Sequence, residues 1–382
     1  MKIAIIAHAG EAKGHILRAI ALQRCLEEVA ETTLIVPKKS RAFVETFFPE
    51  IACEWITWPF GHNDVLDQAV KLSTFVEQLK LTTLELEKLF HQSAPNLVIG
   101  IPGVESSALC RVLGVPHISV LHGPWLVPEY ILDEPTPSES AVVVCWERSI
   151  EITQVAAKVV SHALGAMYGK MYRPYRTWLE SEVVWVAQDF NVEYKNKRPV
   201  IGFLQADYGP TDTSGLPNNC LTITLGSAID GDKKILGTFS HTDMSRLIIS
   251  NSLIAEQPKV HWRPALSGAS IASLSSVAIN HGGIGTTAVF ATAGVPQVFV
   301  PHDIDQAVNA FLAQRSGFGV STATSQWWRK RTPFGRICPP LIKGRNLGQL
   351  VREVMQNPLH QTPAINNKAI IQSLAREACG VR

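Results

Sequence analysis

The stretch Ala278–Ala310, AINHGGIGTTAVFATAGVPQVFVPHDIDQAVNA, passes from strand to turn to helix to strand within a few dozen residues. SVAIN, Ser276–Asn280, is short, apolar and bounded by polar residues, and predicts a buried strand. HGGIGTT, His281–Thr287, then turns the chain into a helix that stops at Gly294, and VPQVFV, Val295–Val300, predicts the next strand. A strand, a helix and a second apolar strand in that order make a βαβ unit, whose strands lie parallel with the helix on one face. Gly282 and Gly283 lack the β-carbons that would keep the backbone away from a ligand. The free N–H groups of the helix's first turn, with the hydroxyls of Thr286 and Thr287, then face an anion, and His281 adds a donor. The turn reads as a cradle for phosphate. A glycine-rich turn that serves backbone geometry alone is the alternative left open by the local pattern.

The same alternation runs outward through the 382 residues. Lys2–Ala7 predicts a strand, and Gly14–Ala30 a helix with Ala19, Leu22, Leu26 and Val29 at helical spacing. Thr32–Pro37, Pro95–Gly100 and Val115–Gly123 predict further strands, with a helix at Val104–Gly114, and Leu221–Ser227 opens the pattern again in the second half. Nearly continuous apolar strands alternating with helices predict two doubly wound parallel sheets. A run rich in Pro, Gly, Asn and charge, Phe190–Asn219, marks the boundary. The expected division is 1–198, 199–365, and a C-terminal helix in 366–382 that packs back on the first domain. Ligands are expected in the crevice at the carboxyl ends of the strands.

Composition excludes several classes. With 46% hydrophobic and 18% charged residues the chain can bury two cores, and a formal charge of +2 without a basic, aromatic-interleaved stripe argues against nucleic acid. Seven scattered cysteines without a CxxC pair predict reduced thiols in a cytoplasmic protein. The N-terminal apolar run reads as the first strand and not as a signal peptide, and no apolar run approaches the ~20 residues of a bilayer span.

Lys259–Val320 strongly resembles the donor-binding region of nucleotide-sugar glycosyltransferases of the GT-B fold. It is most similar to the family 1 enzymes that glycosylate antibiotics and other bacterial natural products, and to sterol glycosyltransferases. The resemblance implies two Rossmann-like domains facing across a cleft, with a UDP-, dTDP- or other nucleoside-diphosphate sugar as co-substrate and no further cofactor. It implies that His281, Gly283, Thr286 and Thr287 contact the donor diphosphate and that Asp305 and Gln306 hydrogen-bond the sugar. Trp262 matches the tryptophan on which the base stacks, and Ser227 a small residue beside the phosphates. A weaker match over Gly14–Leu26 makes His15 the general base on the acceptor hydroxyl, an imidazole whose ordinary pKa suits that task. The acceptor implied is a small hydrophobic or lipid-like molecule.

The chain also departs from the family. Arg18 stands where many members have proline, a pattern closer to nucleotide-sugar hydrolases and lipid glycosyltransferases. The carboxylate that often supports the histidine would fall near Ile101, leaving Glu105 as the nearest substitute in sequence, and only 34 residues separate Ser227 from Trp262. The triplets DID, Asp303–Asp305, and DGD, Asp230–Asp232, imitate a metal-binding pair, but such triplets arise readily by chance and no metal site is expected. Trp327–Arg331, WWRKR, has the composition of a loop that touches an anionic membrane, although an ordinary solvated loop has the same composition. The expected reaction is inverting transfer of a hexosyl group to a hydroxyl, without metal. Hydrolysis of the nucleotide sugar, or a non-catalytic helper that kept the fold, are the alternatives.

Overall fold

A computed structural model describes residues 1–7, 13–57, 72–102, 104–134, 175–188, 190, 192–225, 244–249, 258–301, 304–322, 347–356 and 367–381, with the side chains of 72–80, 104, 105, 108, 112, 124, 175 and 304 set aside. The first strand, β1 (Lys2–Ala7), shows why the sheets form as they do. Its odd residues Ile3, Ile5 and Ala7 pack with Ile16, Ala19 and Ile20 of α1 (Lys13–Leu26), while Ala4 and Ile6 pack on the opposite face with Leu86 and Phe90 of α3 (Leu72–Ser93). A strand covered on both faces has no polar side to alternate with, which is why it reads as a continuous apolar run. Each fully buried isoleucine contributes about 1.5–3 kcal/mol.

The N-terminal sheet orders its described strands β3-β2-β1-β4-β5-β7, all parallel, with β2 at Glu31–Pro37, β3 at Cys53–Ile56, β4 at Leu97–Ile101, β5 at His117–Leu121 and β7 at Val184–Val186. Ile5 sits opposite Leu34 on one side and Ile99 on the other. A short antiparallel pair, β6 (Tyr130–Ile131) with β8 (Glu193–Tyr194), lies outside it. The C-terminal sheet repeats the same order as β11-β10-β9-β12-β13-β14 (β9 Cys220–Thr224, β10 Arg246–Ile249, β11 Val260–Arg263, β12 Ser275–Asn280, β13 Gln297–Phe299, β14 Gly319–Ser321). In both sheets the strand order reverses beside the first strand of the unit, between β1 and β4 and between β9 and β12, so each half has a ligand crevice at its switch point.

Helices α2 (Arg41–Phe47), α4 (Val104–Leu113) and α5 (Tyr175–Ser181) belong to the first half, and α6 (Gly268–Leu274), α7 (Ile284–Thr292), α8 (Ile304–Arg315) and α9 (Leu347–Gln356) to the second. The last helix, α10 (Asn367–Ala378), returns to the first half. Ile371 and Ala375 are buried in the N-terminal core, Gln372 Nε2 donates to the Cys25 carbonyl at 2.9 Å, and Lys368 pairs with Glu28 at 2.6 Å. A shared apolar cluster joins the halves, with Leu126, Val127 and Trp178 on one side and Ile284, Val308 and Phe311 on the other. Buried Glu182 ties α4, α5 and β5 together, receiving His117 Nδ1 at 2.6 Å while His117 Nε2 meets Ser106 Oγ at 2.8 Å. Ser106 is 0% exposed, so this hydrogen-bonded row is a structural element and not a nucleophile within reach of substrate. No described helix is long and apolar enough to cross a membrane.

Candidate functional site

The turn after β12 is built around Asn280, which is completely buried. Its Oδ1 accepts from Gly282 N at 2.8 Å, its Nδ2 donates to Gln297 Oε1 at 2.9 Å, and Gln297 Nε2 donates in turn to the Thr287 carbonyl at 3.2 Å. Strand end, turn and first helical turn are thereby held as one unit. The three glycines of the turn serve three different needs. Gly282 has φ +81°, and a β-carbon there would lie 2.6 Å from the Gln306 carbonyl of α8. Gly283, the N-cap of α7, has an ordinary φ of −65°, but a β-carbon would collide with the His281 ring. Gly285 is needed by a side chain from another segment, Gln205, whose carboxamide lies against it.

The first helical bond of α7 runs from Thr287 N to Gly283 O at 2.9 Å, which leaves the N–H groups of Ile284, Gly285 and Thr286 outside the helical ladder. Those N–H groups and the positive end of the helix dipole are the features with which helix N-termini bind anions. His281 and Thr286 are half-buried beside this helix start, whereas Thr287 is 0% exposed and its Oγ1 is enclosed without a hydrogen-bond partner among the described residues. The helix ends as the glycine signal requires, with Gly294 at φ +71° just past its last turn. Asp305 and Gln306 open α8, half-buried, and the close approach of Gln306 to Gly282 sets them next to the turn. Trp262 lies on the edge strand β11, three strand spacings or ~14 Å across the sheet from β12.

His15 is the third residue of α1 and is half-buried. Arg18, one turn further along the same helix face, is 3% exposed and donates from Nη1 to His15 Nδ1 at 3.2 Å. Burial lowers the Arg18 pKa to about 10, and the nearby Asp305 carboxylate opposes that fall, so the guanidinium stays protonated at neutral pH. A guanidinium can only donate. Nδ1 therefore accepts, and the neutral ring carries its proton on Nε2. The His15 ring is 5.8 Å from that of buried His122. Arg18 on the first helix of one half thus feels the Asp305 carboxylate of the other, bringing His15 and Asp305 into one electrostatic neighbourhood.

The structure brings His281, Gly283, Thr286, Asp305 and Gln306 together around the turn, with His15 joined to them through Arg18, and sets Trp262 apart on the same sheet. Ser227, the DGD triplet, Asp303 and Trp327–Arg331 lie outside the described residues, as does the Glu105 side chain. Among the described residues no three His, Cys, Asp or Glu side chains cluster as a metal would need. Three contributors were not singled out as site residues from sequence. Arg18 had a signal, its i+3 spacing from His15; Asn280 and Gln205 act through packing that no local pattern encodes.

Comparison with known proteins agrees with this fold. Residues 268–331 match the family described as erythromycin biosynthesis protein CIII-like, C-terminal domain. No curated protein matches the chain. Among solved structures it is similar to the glycotransferase of kitacinnamycin, at 16% identity and TM-score 0.61 over 99% of this chain and 95% of that one. It is also similar to the glycosyltransferase SnogD from Streptomyces nogalater, at 17% identity and TM-score 0.56 over 99% of each chain. A UDP-glucosyltransferase from Polygonum tinctorium capable of glucosylating indoxyl aligns at 14% identity and TM-score 0.63, over 100% of this chain and 99% of that one. The fold of the chain is the GT-B fold of these glycosyltransferases.

Proposed function

We propose that the chain is an inverting, metal-independent glycosyltransferase that moves a hexosyl group from a nucleoside-diphosphate sugar to a hydroxyl of a small natural product or lipid-like acceptor in the cytoplasm. The observation that carries this reading is the α7 N-terminus with Asp305 and Gln306, set in a half that the shared apolar cluster packs against the half of His15, with Arg18 beside His15 within the electrostatic reach of Asp305. The diphosphate takes the N–H groups of Ile284, Gly285 and Thr286 and the His281 side chain, and the sugar takes Asp305 and Gln306. The base stacks toward Trp262, a distance that an extended nucleoside diphosphate can bridge. Ser227 adds a contact at the phosphates.

In the chemical step the acceptor hydroxyl gives its proton to His15 as its oxygen attacks the anomeric carbon. The carbon–oxygen bond to the diphosphate breaks, and its electron pair leaves with the diphosphate, where the helix N-terminus and His281 stabilise the charge. Arg18 constrains this step. Because Nε2 already carries the proton, base action begins with Arg18 leaving Nδ1, so that the ring either changes tautomer or meets the acceptor with Nδ1. The same Arg18, a pattern that resembles nucleotide-sugar hydrolases as well as lipid glycosyltransferases, supports a second reading in which water takes the acceptor's place. Free sugar released without acceptor marks the hydrolase, and glycosylated product marks the transferase.

The first test is thermal shift and calorimetry against UDP, dTDP, GDP and their sugars, where stabilisation by at least one is expected. Turnover is expected to survive EDTA, since the helix N–H groups and His281 can neutralise the leaving group without a cation. Loss of turnover on chelation, restored by magnesium or manganese, would return the DID and DGD triplets to consideration.

A further inference from the structure

Residues 201–208 cross from the N-terminal half to the C-terminal half, and their side chains part to the two sides. Leu204 and Ala206 are buried in the N-terminal core, while Phe203 packs against the cluster that contains Ile284 and Phe318. The segment is tied on each side of position 205. Phe203 O accepts Asn367 Nδ2 at 2.7 Å, Ala206 N donates to Leu17 O of α1 at 3.1 Å, and the Asp207 carboxylate accepts Gly268 N and Ala269 N at the start of α6, at 2.5 and 3.2 Å.

Gln205 projects from this fixed backbone onto the first turn of α7. A β-carbon on Gly285 would lie 3.0 Å from both its Nε2 and its Oε1, so the carboxamide plane faces the helix where the three free N–H groups begin. Gly285 has no positive φ, so a β-carbon there would meet this close approach and not backbone strain. Among the described residues, Gln205 Oε1 is buried without a hydrogen-bond partner. A buried acceptor of this kind carries a desolvation cost unless something supplies a donor.

The geometry points to Gln205 as a further donor-binding residue, its Nε2 donating to the diphosphate beside the α7 N–H groups and its Oε1 accepting a hydroxyl of the same nucleotide sugar. The inference rests on the reading of the α7 N-terminus as the diphosphate site. It adds to that site a neutral group carried on the segment that joins the halves, one residue from the backbone bond to the helix of His15. A carboxamide can serve both a diphosphate oxygen and a hydroxyl, whereas a carboxylate at the same place would oppose the diphosphate.

The test is calorimetry with UDP, dTDP and GDP, followed by the corresponding nucleoside and nucleotide sugar for whichever base binds. Gln205→Ala and the similarly sized Gln205→Met should each weaken diphosphate binding about 5- to 20-fold, leaving the nucleoside unaffected if Oε1 takes a sugar hydroxyl and weakening it as well if Oε1 takes a ribose hydroxyl. Gln205→Glu should weaken it further. The nucleotide sugar should lose more than the diphosphate if Oε1 takes a sugar hydroxyl, and equally if it takes a ribose hydroxyl. Gly285→Ala, whose methyl displaces the carboxamide, should cost less in a Gln205→Met background than alone. Wild-type diphosphate affinity in both neutral variants, with His281→Ala still weakened, overturns the role of Gln205 and leaves the donor site standing. Unchanged binding in all three overturns the donor site, and this inference with it.

Discussion

Replacing His15 with alanine is expected to lower transfer by about 10²- to 10⁴-fold while donor affinity stays near wild type, the pattern of a group that acts in the transition state and not in donor binding. His15 sits at the start of α1, at the carboxyl end of β1, and not against the α7 turn where the diphosphate is proposed to bind. Its link to the donor half runs through Arg18, held at 3.2 Å on Nδ1 and electrostatically coupled to Asp305. Single-turnover measurements with saturating donor isolate the chemical step. Transfer at near the wild-type rate by the alanine variant would falsify the role of His15 as base, while the fold and the donor site would stand on their own observations.

Replacing His281 with alanine is expected to act on the opposite quantity. A hydrogen bond to a charged diphosphate contributes roughly 1.5–3 kcal/mol, so nucleoside-diphosphate affinity should fall about 10- to 100-fold. The ring stands over the N-cap of α7, packed so closely on Gly283 that a β-carbon there would strike Nε2. From that place it adds a side-chain donor to the three N–H groups of the helix start, and its removal leaves those backbone groups intact. The nucleoside alone, which has no phosphate for the ring to meet, should bind the variant as it binds the wild type. Equal diphosphate affinity in the two proteins, measured by calorimetry, would remove His281 from the site.

Several strands were legible because they are buried on both faces. Lys2–Ala7, Ser276–Asn280 and the strand around Val298 stand out as apolar runs, and helix α7 announces its end through Gly294. Short or peripheral strands were not. Cys53–Ile56 and Val260–Arg263 form the outer edges of their sheets, with polar residues at alternate or central positions, and Arg246–Ile249 and Gly319–Ser321 are too brief to establish a period. Their places are chosen by a neighbouring strand's hydrogen bonds, which a local pattern does not contain.

By itself the sequence determined the βαβ alternation and the glycine-rich turn at His281–Thr287, because backbone conformation, apolar periodicity and helix termini are written in residues close together along the chain; His15 was nominated by the resemblance over Gly14–Leu26. Only the tertiary structure decided what each glycine of the turn is for, since Gly282 answers to the carbonyl of Gln306 and Gly285 to the side chain of Gln205. It also decided that the Arg18 guanidinium meets Nδ1 of His15, and that the same guanidinium reaches the electrostatic field of Asp305 in the other half. These are contacts between segments remote in sequence, and their energies depend on burial and distance, which exist only once the two sheets have been packed together.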